Sequence, residues 1–131
     1  RCGTCKHLLE GNSIKFQGDS KTFKVKQNMS CTSKNVIYVL NCNGCNSAQY
    51  IGQTNDLRKR VTIHRQQIKD TELRKLPVSK HIHTCAKNMT PQFTIFPFYK
   101  MNNDDTQARL IKETHFIQKF KPKLNKTQKT Y

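Results

Sequence analysis

The chain has 131 residues, of which 34% are hydrophobic, so it can bury only a modest core and should form one domain, or one domain with a small extension. Its formal net charge is +16, from 24 Lys and Arg against 8 Asp and Glu, which predicts a polyanionic partner, most commonly nucleic acid. It lacks both the roughly 18-residue apolar run of a membrane span and the apolar segment of a signal peptide. The start at Arg1, close to two cysteines, indicates a segment cut from a longer polypeptide.

The first predicted unit, residues 1–34, is a polar, basic extension. It contains one strand-like segment, "TFKVK" at 22–26, and has cysteines near both of its ends. We expect a bound metal to hold this extension together.

Two strands, at 35–41 and 48–54, are predicted next from their β-branched and aromatic residues, and they should form an antiparallel hairpin. Centring the turn on Gly44 gives opposed residues whose position numbers sum to 88. This register places Tyr38 opposite Tyr50, with Cβ atoms about 5 Å apart. It also brings two cysteines together at the tip, Cys42 and Cys45. A metal knuckle there would fix the register of the hairpin.

Helical periodicity begins after the hairpin, in "NDLRKRVTIHRQQIKD" at 55–70. Thr54 or Asn55 is the expected N-cap. The apolar stripe of this helix is formed by Leu57, Val61 and Ile68.

Three further elements complete the chain order. A short helix should begin at Pro77, where a proline costs no hydrogen bond. The strand at 92–101 contains Pro97, which predicts an edge strand or a bulged one. The last helix, at 104–120, should carry its acidic residues in the first turn. The order β, β, α, short α, β, α indicates a small α/β domain.

The six cysteines admit two interpretations. Three disulfides would suit a small secreted protein. Against this, two Cys-x-x-Cys pairs and the segment "HIHTC" at 81–85 supply the thiolates and imidazoles that tetrahedral zinc needs. The spacing therefore favours zinc over disulfides. The pairs are Cys2 with Cys5 and Cys42 with Cys45.

Three ionisable residues fall at informative helix positions. Arg60 and His64 are four apart, so they share one helix face and can point over the sheet, although a solvated face is the ordinary alternative. Glu113 lies on the predicted apolar stripe of the last helix with Leu110, Ile117 and Phe120. A buried carboxylate must pair with a cation or bind a metal, and a salt bridge to Arg or Lys is the simpler outcome.

These residues resemble the GIY-YIG nuclease family. "VIY" at 36–38 stands at the first triplet, with Val36 in place of glycine, and "YIG" at 50–52 is the second triplet. Arg60 follows the second tyrosine by ten residues, as the family's catalytic arginine does. Gln53 replaces a lysine of some repair-type members, so a phosphate contact at that position is not expected.

The resemblance extends to the C-terminus, where "ETHFIQKFKPKLN" at 113–125 is similar to the family's metal-binding helix and following asparagine. It implies a three-stranded antiparallel sheet flanked by helices. The expected domains are a zinc-held extension at 1–34, the nuclease domain at 35–126 and a basic tail at 127–131. The implied catalytic residues are Tyr38, Tyr50, Arg60, His64 and Glu113, with Asn125 in support.

Within the family, the inserted cysteine pair and "PVSKHIHTC" resemble the endonuclease domain of Penelope-like retroelements. That subgroup implies one structural zinc on Cys42, Cys45, His81 and Cys85, with His83 as an alternative ligand. It implies a second zinc on Cys2, Cys5 and Cys31, with either His7 or a cysteine upstream of Arg1 as the fourth ligand.

The activity implied is hydrolysis of DNA with one Mg²⁺ or Mn²⁺ on Glu113, where Arg60 grips the phosphate and Tyr38 activates water. If Tyr38 is to activate water at neutral pH, nearby positive charge must lower the pKa of its hydroxyl. Arg58, Lys59 and Arg65 would contact DNA. The retroelement resemblance further implies a nuclear protein linked to a reverse transcriptase, whose priming the nick would serve.

Three rival functions remain open at this point. A zinc module that binds nucleic acid without cutting it would use the same basic helix, but it leaves Glu113 unexplained. A secreted disulfide protein would show three disulfides and no zinc. A repair or mobile-intron nuclease would share the catalytic residues without needing the zinc ligands.

Overall fold

The computed structural model describes residues 13–16, 21–25, 29–42, 49–69, 93–122 and 124–125. Its elements follow the predicted β, β, α, β, α order of the nuclease-like part, preceded by two short strands. The predicted short helix at Pro77 lies outside the described residues. The elements are β1 (Ser13–Phe16), β2 (Lys21–Lys24), β3 (Val36–Cys42), β4 (Gln49–Thr54), α1 (Leu57–Lys69), β5 (Phe93–Lys100) and α2 (Thr106–Phe120).

The main sheet is antiparallel, with strand order β4-β3-β5, and β1 and β2 pair separately as an antiparallel ribbon. The prediction of a three-stranded antiparallel sheet with helices is confirmed. So is the prediction for Pro97, because β5 pairs only with β3 among the described strands and the register slips between Ile37 and Tyr38. A proline is tolerated there since an edge strand can lose one backbone donor.

The central strand β3 is apolar almost throughout because both of its faces are buried. Alternate side chains enter two clusters, Val36, Tyr38 and Leu40 on one face and Ile37 and Val39 on the other. The first face is covered by α1, whose Leu57 and Val61 are fully buried, as their helical spacing predicts. The side chain of Ile68 lies outside the described set.

The second face is covered by α2 and by the β1–β2 ribbon. Phe16 stacks on Phe120 with ring centroids 3.9 Å apart, and Phe23 meets Phe98 edge to face at 5.3 Å. The described part of residues 1–34 therefore packs onto the main core, which the apparent polarity of this extension did not predict. Whether zinc also holds the extension stays a prediction.

The hairpin register differs from the predicted one. β3 and β4 pair with position numbers that sum to 90, so Tyr38 faces Gly52 and Tyr50 faces Leu40. A Cβ built on Gly52 would lie 2.5 Å from the Tyr38 hydroxyl, so the ring of Tyr38 needs the space above a glycine. Because the shift is by two residues, both tyrosines still lie on one face of the sheet, as diagonal neighbours.

The last helix begins later and faces differently than predicted. Asp105 is the N-cap of α2, its side chain accepting from the Ala108 N–H, and the first turn carries no acidic residue. The buried positions are Arg109, Phe116 and Phe120, whereas Leu110 is 39% exposed. Phenylalanine burial against the ribbon sets this rotation of the helix. Hydropathy alone assigned Leu110 to the core and overlooked Arg109.

At the start of α1, the Asp56 carboxylate accepts a hydrogen bond from the Lys59 N–H, as an N-cap does. The predicted caps were one and two residues too early. Thr54 instead bonds to the backbone N–H and C=O of Asp56 and so supports the cap from β4. In the described part of the chain, no helix has the length and apolar character needed to cross a membrane.

Candidate active site

A hydrogen-bonded tyrosine and histidine lie at the centre of the α1-covered face. Tyr38 projects from β3 across Gly52 and is 1% exposed, and its hydroxyl lies 2.8 Å from His64 Nε2. Both rings are fixed by packing, since His64 also meets Tyr50 and Phe93 edge to face at 6.0 and 6.3 Å. This packing keeps the Tyr38 hydroxyl and His64 Nε2 within hydrogen-bond distance.

The environment of His64 keeps its imidazole neutral. Burial, the largest effect, and then the charge of Arg60 lower the pKa of His64 from 6.5 to about 4. A neutral imidazole offers one nitrogen as an acceptor. Nε2 can thus accept a hydrogen bond from the Tyr38 hydroxyl when the imidazole carries its own proton on Nδ1.

Tyr38 does not have the lowered pKa that water activation was expected to need. Burial raises the pKa of Tyr38 well above its usual value, and the charges of Tyr50 and Glu113 raise it further. Only Arg60 acts in the opposite direction. Tyr38 is therefore a neutral phenol in the isolated protein, and any proton it accepts must be matched by one that it gives away.

Arg60 lies one turn before His64 on α1 and is half-buried. Within the described residues its Nε–H is buried and has no hydrogen-bond partner. An unpaired buried donor on a cation is costly. Such a donor is suited to an anion that arrives with the substrate.

The free edge of β4 holds the C-terminal part of the site. In an edge strand the backbone groups of every second residue point away from the sheet. At Ile51 they pair with the Asn125 side chain, whose Oδ1 accepts from the N–H at 2.7 Å and whose Nδ2 donates to the C=O at 3.0 Å. At Gln53 the backbone N–H faces the Glu113 carboxylate closely enough to lower the pKa of that group. The outer backbone groups of β4 thus help to position Asn125 and Glu113, the two site residues predicted near the C-terminus.

Glu113 is a half-buried carboxylate with an altered pKa. Burial raises the pKa of Glu113 from 4.5 to about 7, against the opposing effects of Arg60 and of the Gln53 N–H. Among the described residues Glu113 forms no ion pair within 4.0 Å, and whether it pairs with a cation elsewhere stays a prediction. A half-buried carboxylate of this kind fits Mg²⁺ or Mn²⁺, which keep several waters when bound to protein.

The charge of Arg60 acts on all three of Tyr38, His64 and Glu113. Tyr50 is half-buried beside the same cluster, although it does not face Tyr38 directly. The five residues that the resemblance implied as catalytic are therefore brought together.

The predicted DNA-contacting residues lie on the outer side of α1. Arg58 and Lys59 are exposed and Arg65 is half-buried. Arg58 also donates from Nη2 to Cys31 Sγ at 3.6 Å.

Of the predicted zinc ligands, the structure describes only Cys31, which is half-buried, and Cys42, which is buried. The described residues alone contain no group of three or more potential metal ligands. The zinc sites remain predictions. The other proposed ligands, Cys2, Cys5, His7, Cys45, His81, His83 and Cys85, lie outside the described residues.

Arg109, a buried charged residue near the site, was not predicted from the sequence. Its guanidinium is 4% exposed and makes hydrogen bonds to four side chains. Its spacing four residues before Glu113 was the available signal, but arginine is not assigned to a core by hydropathy. The acceptors are Gln53 Oε1 at 2.8 Å, Asn35 Oδ1 at 3.0 Å, Asp104 Oδ1 at 2.8 Å and Thr106 Oγ1 at 3.1 Å.

The site contains the half-buried Arg60, whose buried Nε–H has no partner among the described residues, a tyrosine–histidine pair and the half-buried carboxylate of Glu113. These groups suit hydrolysis of an anionic ester such as a phosphodiester. The comparison with known families agrees with this class. Residues 34–128 match the GIY-YIG catalytic domain, well over half of the chain, and the chain belongs to that family.

It follows that the protein is a nuclease with endonuclease activity that binds DNA. Nucleases of this family generally depend on a divalent metal. No curated protein and no solved structure matches the chain. The family match favours a catalytic domain over the non-cutting zinc module.

Proposed function

We propose that this domain nicks DNA by hydrolysing a phosphodiester with one Mg²⁺ or Mn²⁺. The observation that carries the proposal is the buried Nε–H of Arg60, which has no partner in the described part of the chain and lies beside the Tyr38–His64 hydrogen bond. A guanidinium matches the geometry of a phosphate and can bind it with two parallel hydrogen bonds. Arg60 is therefore assigned to the scissile phosphate.

Glu113 is assigned to the metal. The raised pKa of this carboxylate reflects a charge that burial disfavours, and a cation would compensate it. When bound, the cation supplies stabilisation of the charge that develops on the leaving oxygen. The contribution of the chain is to hold the carboxylate against the Gln53 N–H.

Tyr38 and His64 are assigned to proton transfer. The Tyr38 oxygen accepts a proton from the attacking water while its own proton passes to His64 Nε2, so no free phenolate forms. A phosphate on Arg60 would offset the positive charge that helps to lower the pKa of His64, which favours this transfer. Because Tyr38 is 1% exposed, the step requires a water that reaches its hydroxyl in the DNA complex. Tyr50 orients the pair by packing on His64.

The basic outer side of α1 is assigned to the DNA backbone. Arg58, Lys59 and Arg65 follow one another along the helix that also carries Arg60. Their contacts would be to phosphates and so independent of sequence and sensitive to salt.

The test is nicking of supercoiled plasmid in Mg²⁺ or Mn²⁺ by the parent protein, Glu113→Gln and a charge-changing control, Lys119→Gln, on the exposed side of α2. Glu113→Gln keeps the size of the side chain and should cut at least about 100-fold more slowly, since it removes the metal ligand. Lys119→Gln should cut like the parent. Full activity of Glu113→Gln would overturn the metal assignment.

We further propose the Penelope-like role, in which the nick opens nuclear target DNA for a linked reverse transcriptase. The inserted cysteine pair and "HIHTC" support this assignment, with zinc on Cys42, Cys45, His81 and Cys85. Such a role requires nicks that end in a 3′-hydroxyl. Extension of the nicked plasmid by a polymerase without phosphatase treatment tests it, and a 3′-phosphate product would rule out priming. Zinc bound to protein purified without chelator tests the cysteine assignment.

A further inference from the structure

Arg109 is a buried guanidinium whose hydrogen bonds join three segments of the chain. Nε donates to Gln53 at the end of β4, Nη1 to Asn35 before β3 and to Asp104, and Nη2 to Thr106 at the start of α2. Four of its five N–H donors are therefore used. The only acid among the four acceptors, Asp104, is 65% exposed, so charge neutralisation by itself does not explain why the arginine is buried.

The segment that contains Asn35 is itself rigid. Asn35 has a positive φ of 58°, a conformation that asparagine tolerates better than most residues. Its N–H donates to Asn55 O and its C=O accepts from the Met101 N–H at 2.7 Å. Arg109 thus attaches α2 to a fixed point on the sheet.

Gln53 is held by α2 at two points one helical turn apart. Its side chain accepts from Arg109, and its backbone N–H lies close enough to the Glu113 carboxylate to lower the pKa of that group. Residues four apart lie on the same face of a helix. The hydrogen bond at Arg109 therefore fixes the position of β4 against which Glu113 is held.

We propose that Arg109 is a positioning residue that, through Gln53, aligns the Glu113 carboxylate at the edge of β4. This inference rests on the proposed function, in which Glu113 binds the divalent metal. Partners of metal ligands set ligand orientation, and their loss typically lowers metal affinity about 10- to 100-fold. Gln53, at which a phosphate contact was not expected, acquires a role as the link between two residues of α2.

Amide hydrogen exchange of the metal-free protein tests the proposal at the site itself. In Arg109→Met, which keeps the length of the stem, the Gln53 N–H should exchange about tenfold faster because the edge of β4 at Gln53 is no longer held against α2. The Ile51 N–H, bonded to Asn125 on the same edge, should be unaffected. Val39→Ala, in the core on the opposite face, is the control for a general loss of stability and should accelerate both amides together.

Mn²⁺ binding, measured directly without DNA, provides the second readout. Arg109→Met should weaken Mn²⁺ binding about tenfold, Arg109→Lys should recover part of the loss, and Val39→Ala should bind like the parent. Gln53→Asn removes only the contact to Nε, so it tests the same link if Arg109→Met fails to fold.

Equal acceleration of both amides in Arg109→Met, unchanged exchange at Gln53, or parental Mn²⁺ affinity would overturn the proposal. The exchange measurement needs neither metal nor DNA, so its failure counts against Arg109 alone. Parental Mn²⁺ binding by Glu113→Gln would instead count against the proposed function.

Discussion

The two faces of the three-stranded sheet are built from the same strand but differ in chemistry. The face covered by α2 and the β1–β2 ribbon is an aromatic core in which Phe98 meets Phe16 and Phe116 edge to face. The face covered by α1 also contains a core, but it includes a tyrosine hydroxyl, an imidazole and, at its margin, a guanidinium. One face is built for stability, whereas the other accepts polar groups that stability alone would not select.

The comparison explains the abnormal pKa values. The close packing that stabilises the fold also shields the polar groups on the α1 face from water. Burial therefore lowers the pKa of His64 and raises the pKa of Tyr38. Glu113 reaches this environment from the opposite side because β4 is an edge strand, around which α2 can present its carboxylate. The site therefore forms where the two faces meet.

The largest effect on stability is expected on the aromatic face. Phe98→Ala removes a buried ring that contacts three other phenylalanines and should cost about 3–5 kcal/mol of unfolding free energy. Urea denaturation would measure the loss, and nicking per folded molecule should stay near the parental rate. A selective loss of activity without a loss of stability would break the distinction between the faces.

A pH effect of intermediate size is expected on the α1 face. The folded-state pKa of His64, about 4, lies below its unfolded value of 6.5, so the unfolded state takes up a proton first as pH falls. The stability that neutral His64 contributes is present above pH 6.5 and is lost as pH falls toward 4, by about 3 kcal/mol in all.

This pH effect is measured as the difference in unfolding free energy between the parent and His64→Gln, in EDTA, from pH 7.5 to 4. The difference isolates His64 from Glu113, whose raised pKa has the opposite consequence, since stability there is lost as pH rises toward 7. His115→Gln removes an exposed imidazole on α2 and serves as the control. A pH-independent difference for His64→Gln would mean that the imidazole is not held neutral by the fold.

A smaller effect is expected at Gly52, which lies on the α1 face opposite Tyr38. A Cβ there would come within 2.6 Å of the Tyr38 ring, so Gly52→Ala must displace the ring, at a cost of about 1–3 kcal/mol. Activity should fall further than this loss of stability explains, because the bond to His64 is disturbed. Melting temperature and nicking rate, measured together, test this. Parental values of both would show that the close approach is not needed.

Much of the fold follows from local patterns. The β-branched and aromatic residues of β3 and β4, the switch to helical spacing at Leu57 and the proline in β5 predicted the correct element order and the edge position of β5. The catalytic set required the family resemblance in addition, because spacing alone places Arg60 and His64 on one face without indicating a phosphate.

What could not be predicted depended on contacts between distant segments. The hairpin register is set by the Tyr38 ring above Gly52, a fit that a turn centred on Gly44 does not reveal. The rotation of α2 is set by the ribbon, whose Phe16 appeared in no predicted element. Arg109 was missed because its burial is made possible by four acceptors that only the folded chain assembles.

The most direct test of the central claim is the nicking rate of Arg60→Lys on supercoiled plasmid in Mn²⁺, at equal concentrations of folded protein. Lysine keeps the charge but loses the planar, paired donors that Arg60 would offer to the phosphate. If the α1 face is the catalytic one, the rate should fall at least about 100-fold, with unfolding free energy changed by less than about 1 kcal/mol. A nicking rate within threefold of the parental rate, in a stably folded variant, would contradict the assignment of Arg60 to the scissile phosphate.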